Sequence, residues 1–468
     1  MRKIVLFGTG RDLQRYVDLL KCFGCEADAY ADNNPEKWGK YINGKRIISP
    51  EELKKFDADI MISCSFKEEI EEQLRKLGMH ERLISCDDLL RRLANQFVVS
   101  KLVVADIQEQ TTVIIDAFDG FGWGGMEIWS YNVAVGLEKR GHRVKVLGST
   151  WQQKQDDEIE RLISRVELVR NDYLQTIVSI IDELKKCLPI VVINNWTEHV
   201  FLAAYILKVL YPEYVHIVSF VHNDRDYLYK KQQYWVEEFD KIAGVSQKIV
   251  DNLKNYYAIP KEKLVYKENF VQFSPDAEIH KRKEDEAIRI CWGGRLEVLQ
   301  KRADLFPRVI EALNKSDINY ILEIAGDGPC REMIENYIND NGLNNRVKSL
   351  GYIDRNAMPD FWKNKDIYIN FSEFEGASLA MLESMSYGVV PVVTRVSGVD
   401  EFVIPGESGY VVDVGDIEGM IKNIVLLAHD ELMRQRFAHK AQEMVITKCD
   451  FQDYIDYIVG LVEGVSIC

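Results

Sequence analysis

The chain has 468 residues, more than a single hydrophobic core usually serves, so two or three domains are expected. Its 47% hydrophobic and 28% charged residues are ordinary for a folded globular protein and argue against disorder. The net charge of −15 disfavours a nucleic-acid partner, although a local basic strip that touches lipid headgroups is compatible with it.

Signals for export or membrane insertion are not evident. The first apolar run, residues 3–7, is short and leads into a Gly-Thr-Gly turn, which is typical of a first strand and not of a signal peptide. No apolar run reaches the roughly 18 residues that cross a bilayer. The nine cysteines are an odd number, which favours reduced thiols. We therefore expect a cytoplasmic protein, with peripheral contact at the inner face of the membrane as an option. The sequence does not indicate an oligomeric state.

The first block, residues 1–98, has the pattern of a small Rossmann-like α/β domain. Its predicted strands are residues 3–7, 27–31 and 59–63. One predicted helix follows the first strand and ends at residue 20, and a second spans residues 67–77. Gly8 and Gly10 follow the first strand and Asp32 ends the second, a pattern typical of nucleotide binding, but Leu13 occupies the position of the third glycine. These three residues are candidates for nucleotide binding, and a structural or partner-docking role stays open.

Two larger blocks follow, residues 112–275 and residues 285–446, each opening with a β-branched strand that leads into glycines. The further predicted strands are 144–147, 190–193, 216–221, 241–243, 320–325, 347–350, 367–370 and 389–393. Strands that alternate with helices imply parallel sheets, which bind ligands at their carboxyl ends. The polar segment 274–286 is predicted to be a hinge, and residues 447–468 a helix that crosses back over the second block.

The strongest chemical signal is the pair Glu375 and Glu383, eight positions apart across a turn and the start of a helix. Gly376, Ala377, Ser378 and Leu379 lie at the mouth of that helix, where free backbone N–H groups and the helix dipole favour a diphosphate. The alternative is an acidic turn in which Ser378 or Glu375 caps the helix.

A second signal is basic. Gly294 and Arg295 follow a strand directly, and Lys301 lies six positions further on. The glycine lets the backbone approach a ligand, the guanidinium can bind phosphate oxygens in pairs, and the ammonium adds a point charge. Fixed cations of this kind would stabilise a departing nucleoside diphosphate. Either residue alone could equally be a solvated charge at a helix start.

Taken together, these motifs resemble glycosyltransferase family 4 of the GT-B superfamily over most of residues 112–446. The landmarks stand in family order: Gly124-Gly125-Met126-Glu127, Gly141-His142-Arg143-Val144, His222, Asn269, Gly293-Gly294-Arg295, Lys301, Ala325-Gly326-Asp327-Gly328-Pro329, Arg346-Val347, Leu350-Gly351-Tyr352-Ile353, Glu375 to Glu383, and Gly388-Val389-Val390-Pro391-Val392-Val393. The resemblance implies an α/β GT-B fold, in which two Rossmann-like domains face a cleft. The first block is similar to small Rossmann-like domains attached to bacterial sugar-modifying and sugar-transferring proteins.

The resemblance also implies roles. Arg295 and Lys301 would bind the donor's diphosphate, Glu375 the hydroxyls of the transferred sugar, Glu383 the nucleotide ribose, and the backbone at Ile353 the base. Across the cleft, the glycine loop with Gly124 and Gly125 would face the diphosphate, and His222 would lie near the sugar and the acceptor. No metal ion or other cofactor is implied beyond the UDP- or GDP-sugar donor.

Some features depart from the family or compete with this interpretation. Ala377-Ser378 stands where the family often has Phe-Gly, so the donor sugar cannot be inferred from better-known members. The aromatic segment 118–123 could be an acceptor platform or simple packing. Asp224-Arg225-Asp226 matches the metal signature of a different glycosyltransferase fold, but so short a match is common. Cys22 and Cys25 form an isolated Cys-x-x-Cys motif without further metal ligands and are interpreted as core thiols.

The sequence therefore predicts a retaining glycosyltransferase that moves a hexose-type sugar from a nucleotide donor to a glycan or lipid-linked acceptor, in bacterial cell-surface polysaccharide or glycoconjugate synthesis. Three alternatives stay open. The scaffold could serve a nucleotide-sugar epimerase, or a non-catalytic protein that binds nucleotide sugars. The first block could also carry an oxidoreductase activity, although it lacks an evident acid–base set.

Overall fold

The computed structural model describes residues 3–10, 13–22, 25–64, 67–85, 87–89, 91–92, 107–117, 125–149, 157–166, 173–195, 197–272, 277–283 and 286–466. Over these ranges the chain forms three sheets in sequence, built almost entirely from parallel strands with helices between them. The predicted α/β class with separate parallel sheets is confirmed.

The first sheet has the strand order β3-β4-β2-β1-β5 and is parallel except for the β3–β4 hairpin. Its elements are β1 Lys3–Phe7, α1 Leu13–Cys22, β2 Ala29–Ala31, β3 Tyr41–Ile42, β4 Lys45–Ile48, α2 Pro50–Lys54, β5 Ala58–Ile62 and α3 Lys67–Lys76. The sequence analysis did not predict the hairpin. Asn43 and Gly44 both have positive φ angles, 49° and 74°, the backbone that a two-residue turn of this kind needs.

The second sheet has seven parallel strands in the order β12-β11-β10-β9-β6-β7-β8. Its elements are β6 Thr112–Asp116, α4 Gly125–Lys139, β7 Arg143–Ser149, α5 Asp157–Glu160, β8 Ile163–Val166, α6 Tyr173–Leu184, β9 Ile190–Asn194, α7 Glu198–Leu210, β10 Val215–Val221, α8 Asp226–Tyr234, β11 Lys241–Gly244, α9 Gln247–Asn255 and β12 Leu264–Tyr266. The central strands β6 and β9 are buried along their whole length, as expected for a sheet covered on both faces.

The third sheet has six parallel strands in the order β15-β14-β13-β16-β17-β18. Its elements are β13 Ile288–Gly293, α10 Phe306–Lys315, β14 Tyr320–Ala325, α11 Arg331–Asp340, β15 Val347–Gly351, α12 Met358–Trp362, β16 Ile367–Asn370, α13 Leu379–Ser386, β17 Val390–Thr394, β18 Tyr410–Val412, α14 Ile417–His429 and α15 Glu431–Lys448. The carboxyl ends of β13 and β16 are neighbours, which brings Gly293 and the segment after Asn370 together.

The last helix, α16 Phe451–Ser466, leaves the third block and packs on α4 of the second. The Trp129 indole N–H donates to the Tyr454 hydroxyl at 2.8 Å. A Cβ atom placed on Gly136 would lie 2.5 Å from Ile455, so this glycine allows the two helices to approach closely. No helix in the described ranges combines the length and apolar character that a membrane span requires.

Residues 277–283, within the predicted hinge, lie on the third block. His280 Nδ1 is 3.1 Å from Asp366 Oδ1, and its backbone carbonyl accepts from Gln435 at 2.9 Å. The Ala277 carbonyl accepts from Gln442 at 2.9 Å. These contacts anchor the segment to β16 and α15, so we expect it to move with the third block and not to act as a hinge.

The first block docks on the second through Asp87, Asp88 and Arg91. The Arg91 guanidinium lies 4.4 Å from the ring centroid of Trp235 and forms an ion pair with Glu238 at 3.0 Å. Asp87 accepts from the Trp235 indole at 3.0 Å, and Asp88 accepts from the Tyr234 hydroxyl at 2.7 Å. The polar atoms of these aromatic side chains are thus bound by the first block.

Candidate functional site

A buried ion pair lies where β13 and β16 end. Lys301 Nζ is 2.5 Å from Glu375 Oε1, and the side chains are 16% and 6% exposed. The same carboxylate accepts from the Ser372 hydroxyl at 2.8 Å and, through Oε2, from the Gln300 amide at 2.9 Å. Three donors from two loops therefore hold Glu375 in one orientation.

Backbone crowding shapes the glycine turn beside this pair. Gly294 has a φ of 154°, and a Cβ placed on Gly326 would lie only 1.8 Å from the Gly294 carbonyl oxygen. The Cε atom of Lys301 lies 3.6 Å from the position of a Cβ on Gly294. The Lys301 stem therefore runs beside this turn, and the exposed Arg295 follows it directly. The Arg295 guanidinium has no hydrogen-bond or ion-pair partner among the described residues, which leaves its donors available to an anion.

The mouth of α13 follows Glu375. Ser378 caps the helix and accepts from the Met381 N–H at 3.4 Å. In the described part of the chain, the backbone N–H groups of residues 376–379 have no acceptor. Free N–H groups at the start of a helix favour an anion. Gly125, at the start of α4, faces this tip, because a Cβ placed on it would lie 3.3 Å from Leu379. Gly124 and the aromatic segment 118–123 lie outside the described residues.

His222 stands opposite, at the carboxyl end of β10. Its Nε2 atom is 2.8 Å from Asn195 Oδ1, and its ring centroid lies 5.1 Å from that of Trp129. Burial lowers the pKa of the His222 imidazole to about 4, so the ring is neutral near pH 7. A Cβ on Gly376 would lie 1.9 Å from the His222 carbonyl oxygen, so glycine is needed where the two blocks meet.

Glu383 lies one turn into α13 and is half-buried. Burial raises the pKa of its carboxyl to about 7, although the Trp362 indole and the Arg355 guanidinium oppose the shift. Ile353 is partly buried and packs against the buried cluster that includes Trp362. Ile353 and the buried face of α13 thus contact the same apolar cluster.

Contacts between the second and third blocks join the two halves of the site. The Asp224 N–H donates to the Glu375 carbonyl at 3.1 Å, and the Ser246 and Ser397 hydroxyls are 2.7 Å apart. Arg355 stacks on Tyr131 at 4.2 Å and donates to Asn132. The facing surfaces are therefore assembled into one cleft.

The Asp-x-Asp sequence has local partners. Asp224 accepts from the Tyr229 hydroxyl at 2.7 Å and the Asn252 amide at 3.2 Å, and it pairs with Lys248 at 3.2 Å. Asp226 pairs with Lys230 at 2.8 Å. Within the described ranges, no cluster of three His, Cys, Asp or Glu side chains is placed to hold a metal ion.

Of the nucleotide-binding candidates in the first block, Asp32 is hydrogen-bonded to residues of the neighbouring loops. Asp32 accepts from the Thr9 N–H at 2.9 Å, the Asn34 N–H at 2.8 Å and Lys37 Nζ at 2.9 Å. Burial of the Asp32 carboxyl opposes ionisation, but these hydrogen bonds outweigh it and lower the pKa to about 2. A Cβ on Gly8 would lie 2.8 Å from Cys64, whereas Gly10 has open space around it.

Three polar residues of the cleft were missed by the sequence analysis: Asn195, Gln300 and Arg355. Asn195 follows the buried strand β9 directly, so a polar residue at that strand end was the available signal. Gln300 and Arg355 carry no comparable signal, since their partners lie far away along the chain.

Comparison with known families yields matches along the chain. The model described as C2185-like, N-terminal matches residues 1–85, Glycosyltransferase Family 4 matches residues 123–273, and Glycosyl transferases group 1 matches residues 275–444. The last two adjoin and contain every cleft residue described above.

Individual relatives are more distant. N-acetyl-alpha-D-glucosaminyl L-malate synthase of Bacillus anthracis is 24% identical over 52% of this chain and 66% of its own length. The lipopolysaccharide core biosynthesis glycosyltransferase LpsE of Rhizobium meliloti is 32% identical over 30% of this chain and 41% of its own length. The chain thus spans two thirds or less of these two relatives.

Among solved structures, HepE of Anabaena in complex with UDP and glucose superposes with a TM-score of 0.61 at 14% identity. The match covers 76% of this chain and 100% of HepE. At this level of identity, the likeness establishes the fold.

Proposed function

Because this chain belongs to the GT-B glycosyltransferases of family 4, with a further Rossmann-like block at its N-terminus, we propose that it transfers a sugar from a nucleotide-sugar donor to a glycan or lipid-linked acceptor with retention at the anomeric carbon. One observation carries the proposal. The Lys301–Glu375 ion pair joins the loop after β13, which carries Arg295, to the loop that leads into α13, where the N–H groups of residues 376–379 have no acceptor among the described residues.

In this proposal, the donor's diphosphate binds Arg295, Lys301 and the N–H groups of residues 376–379. These groups stabilise the charge that develops as the bond between sugar and phosphate breaks. The acceptor hydroxyl attacks the anomeric carbon from the face that the phosphate leaves, and its proton passes to the departing phosphate oxygen. The new glycosidic bond thus forms as the sugar–phosphate bond breaks, with no covalent enzyme intermediate.

The remaining contacts position the donor. Glu375 accepts hydrogen bonds from sugar hydroxyls, Glu383 accepts from the ribose, and the backbone at Ile353 contacts the base. Gly124 and Gly125 approach the diphosphate from the opposite side, and His222 contacts the sugar or the acceptor. We propose that no metal ion is required, because fixed cations of the third block take its usual role. The UDP complex of HepE favours a uridine nucleotide, with GDP as the alternative.

The setting is proposed from the relatives. The name of LpsE favours a role in cell-surface glycan synthesis, and the acceptor is then a growing glycan or a lipid-linked precursor. We place the protein in the cytoplasm, with peripheral contact at the inner face of the membrane where such acceptors are found.

The test is release of nucleoside diphosphate across a panel of UDP- and GDP-sugars, with glycolipid acceptors and mass spectrometry of the products. Arg295→Ala and Glu375→Ala should each lower turnover about a hundredfold or more, since each removes a group that acts on the transition state. Arg436→Ala, on the exposed face of α15, is the control and should keep wild-type turnover.

Other outcomes separate the alternatives. Near-normal transfer by both site variants would show that these residues are wrongly assigned. Isomerised donor without any acceptor would indicate an epimerase. Tight donor binding without hydrolysis or transfer across the whole panel would indicate a binding protein.

A further inference from the structure

Asn195 is held in one orientation by its surroundings. It follows β9, is 7% exposed, and its Nδ2 donates to the Asp116 backbone carbonyl at 2.9 Å and to the Ser130 hydroxyl at 3.0 Å. A backbone carbonyl can only accept, so the nitrogen must be on that side. The amide oxygen is therefore the atom that faces His222.

This orientation determines the proton position on the imidazole. An amide oxygen can only accept, so His222 Nε2, at 2.8 Å, must carry the hydrogen. In a neutral ring the other nitrogen, Nδ1, then has a free lone pair. Nδ1 makes no hydrogen bond to the described residues, and it is not among their enclosed, unpartnered polar atoms. The half-buried ring therefore keeps a lone pair that the described part of the chain does not use.

The charged groups around the ring are engaged elsewhere. Asp116 accepts from the Asn194 amide at 2.9 Å and from the Thr197 N–H at 2.8 Å. The two acidic residues nearest along the meeting loops are paired, Glu375 with Lys301 and Asp224 with Lys248. On α4, Trp129 meets the imidazole in a T-shaped arrangement and donates to the Tyr454 hydroxyl. None of these carboxylates makes an ion pair with the imidazole, which agrees with the lowered pKa of His222.

We propose that Asn195 is a positioning residue, which holds His222 in the Nε2–H tautomer so that Nδ1 accepts a hydrogen bond from a hydroxyl group of the substrates. The inference rests on the proposed transferase function. The hydroxyl belongs either to the transferred sugar or to the acceptor, and both sources share the same chemistry. Gly376, in the loop before α13, lies against the His222 carbonyl. His222 is therefore next to the loop that would bind the donor.

The first test observes the tautomer without any substrate. Nitrogen-15 NMR of the full chain labelled at histidine should detect the His222 ring, whose signals are assigned by their loss in His222→Ala. In this ring Nε2 should be protonated and Nδ1 unprotonated. Asn195→Ala should produce a mixture of tautomers. Asn194→Ala is the matched control, because it disturbs the same Asp116 network without touching the imidazole. A mixture in the wild type, or an unchanged signal in Asn195→Ala, would overturn the proposal.

The second test follows pH. In Asn195→Asp a carboxylate faces Nε2, which favours the imidazolium ion and should raise the pKa of His222. Protonation of Nδ1 removes the lone pair, so transfer should fall on the acid side at a higher pH than in the wild type. Asn194→Ala should keep the wild-type pH profile even if it is less stable. An Asn195→Asp profile identical to the wild type would contradict the proposal.

The third test identifies the hydroxyl and isolates the role of His222. Asn195→Ala should lower kcat/KM roughly tenfold, the effect of one neutral hydrogen bond, and should add little in a His222→Ala background. A change in donor hydrolysis assigns the hydroxyl to the sugar, and a change only in acceptor KM assigns it to the acceptor. Equal, additive losses in both backgrounds would reduce Asn195 to a structural role. If the wild type transfers nothing to any acceptor, the proposed function has failed, while the NMR result still decides the tautomer.

Discussion

Lys301 and Glu375 form a buried ion pair at the site. Both side chains are largely removed from solvent, and each neutralises the charge of the other. A donor must therefore share these groups with contacts that already exist. This arrangement keeps both side chains oriented before the substrate arrives, which reduces the ordering that binding requires.

Removing one charge of the pair should be more harmful than removing both. Lys301→Met leaves a buried carboxylate and should lower the free energy of unfolding by about 3 kcal/mol or more. Lys301→Met combined with Glu375→Gln should recover most of that loss, although neither protein should transfer sugar. Urea denaturation measures both values. A double variant whose loss equals the sum of the single losses would contradict the coupling.

Glu383 should make stability depend on pH. Its pKa is raised from 4.5 to about 7, so between these values the folded chain holds a proton that the unfolded chain has released. Stability from this group is complete below pH 4.5 and is lost as the pH rises through 7. Glu383→Gln should therefore stabilise the protein at pH 8, with a ceiling of about 3 kcal/mol that residual solvent contact reduces.

Melting temperatures measured from pH 5 to pH 8 check this expectation. The advantage of Glu383→Gln over the wild type should grow with pH, whereas the exposed Glu332→Gln should show no such trend. A constant difference across the range would mean that burial does not raise the pKa. If Glu383 binds the ribose as proposed, donor affinity should weaken below pH 7, because an ionised carboxylate accepts a hydrogen bond more strongly than a protonated carboxyl does.

At this scale the sequence could propose Arg295, Lys301, Glu375 and Glu383 because they occupy recognisable motifs. For Asn195 it offered only a polar residue at the end of a buried strand, and for Gln300 it offered no signal. Asn195 contacts a partner 27 positions away and Gln300 one that is 75 positions away. Which polar side chains meet across a cleft depends on the relative placement of whole strands, and no local spacing contains that information.

Among the elements, most buried strands were predicted closely, whereas several short strands were not predicted. The predicted 320–325 and 367–370 agree with β14 and β16, whose residues are mostly apolar. The strands β8, β12 and β18 were not predicted, since they are short and only partly buried, so their sequences show no clear pattern. The strand predicted at 27–31 begins at Ala29 because Asp28 instead accepts from the Ile4 N–H through its side chain.

The loop before α13 is where an added methyl group should be most harmful. Gly376→Ala would place a Cβ 1.9 Å from the His222 carbonyl, so the two blocks would have to separate. We expect transfer to fall at least about tenfold and the melting temperature to decrease, because the site would no longer be assembled.

Gly460→Ala is the matched control for that substitution. Gly460 lies on the exposed side of α16 with open space around it, so alanine there should stabilise the protein by about 0.5 to 1 kcal/mol. Thermal unfolding and the release assay check both variants. Wild-type activity in Gly376→Ala would show that the close approach is unnecessary.

At the scale of the whole molecule, the first block depends on contacts that the sequence did not predict. Arg91, Asp87 and Asp88 cover an aromatic surface of the second block, and Trp235 is only 1% exposed in their presence. A chain that begins at residue 107 should expose Tyr205, Tyr234 and Trp235 together. An apolar patch of this kind promotes association.

That truncated chain should bind a hydrophobic dye and associate as its concentration rises, as measured by light scattering. Arg91→Ala in the full chain should give a weaker version of both effects, since the ring faces lose their cation but stay covered. A truncated chain that remains monomeric at all concentrations would show that the first block is not needed as a cover.

The same docking has an evolutionary corollary. The Arg91 guanidinium contacts the rings of Tyr205, Tyr234 and Trp235. Without the first block, these aromatic side chains would be exposed to water and would favour association. Gain or loss of the leading block should therefore leave a trace at positions 205, 234 and 235. Chains that share the second and third blocks but lack the first should carry polar residues there, and those that possess it should keep the aromatic residues together with their basic partner.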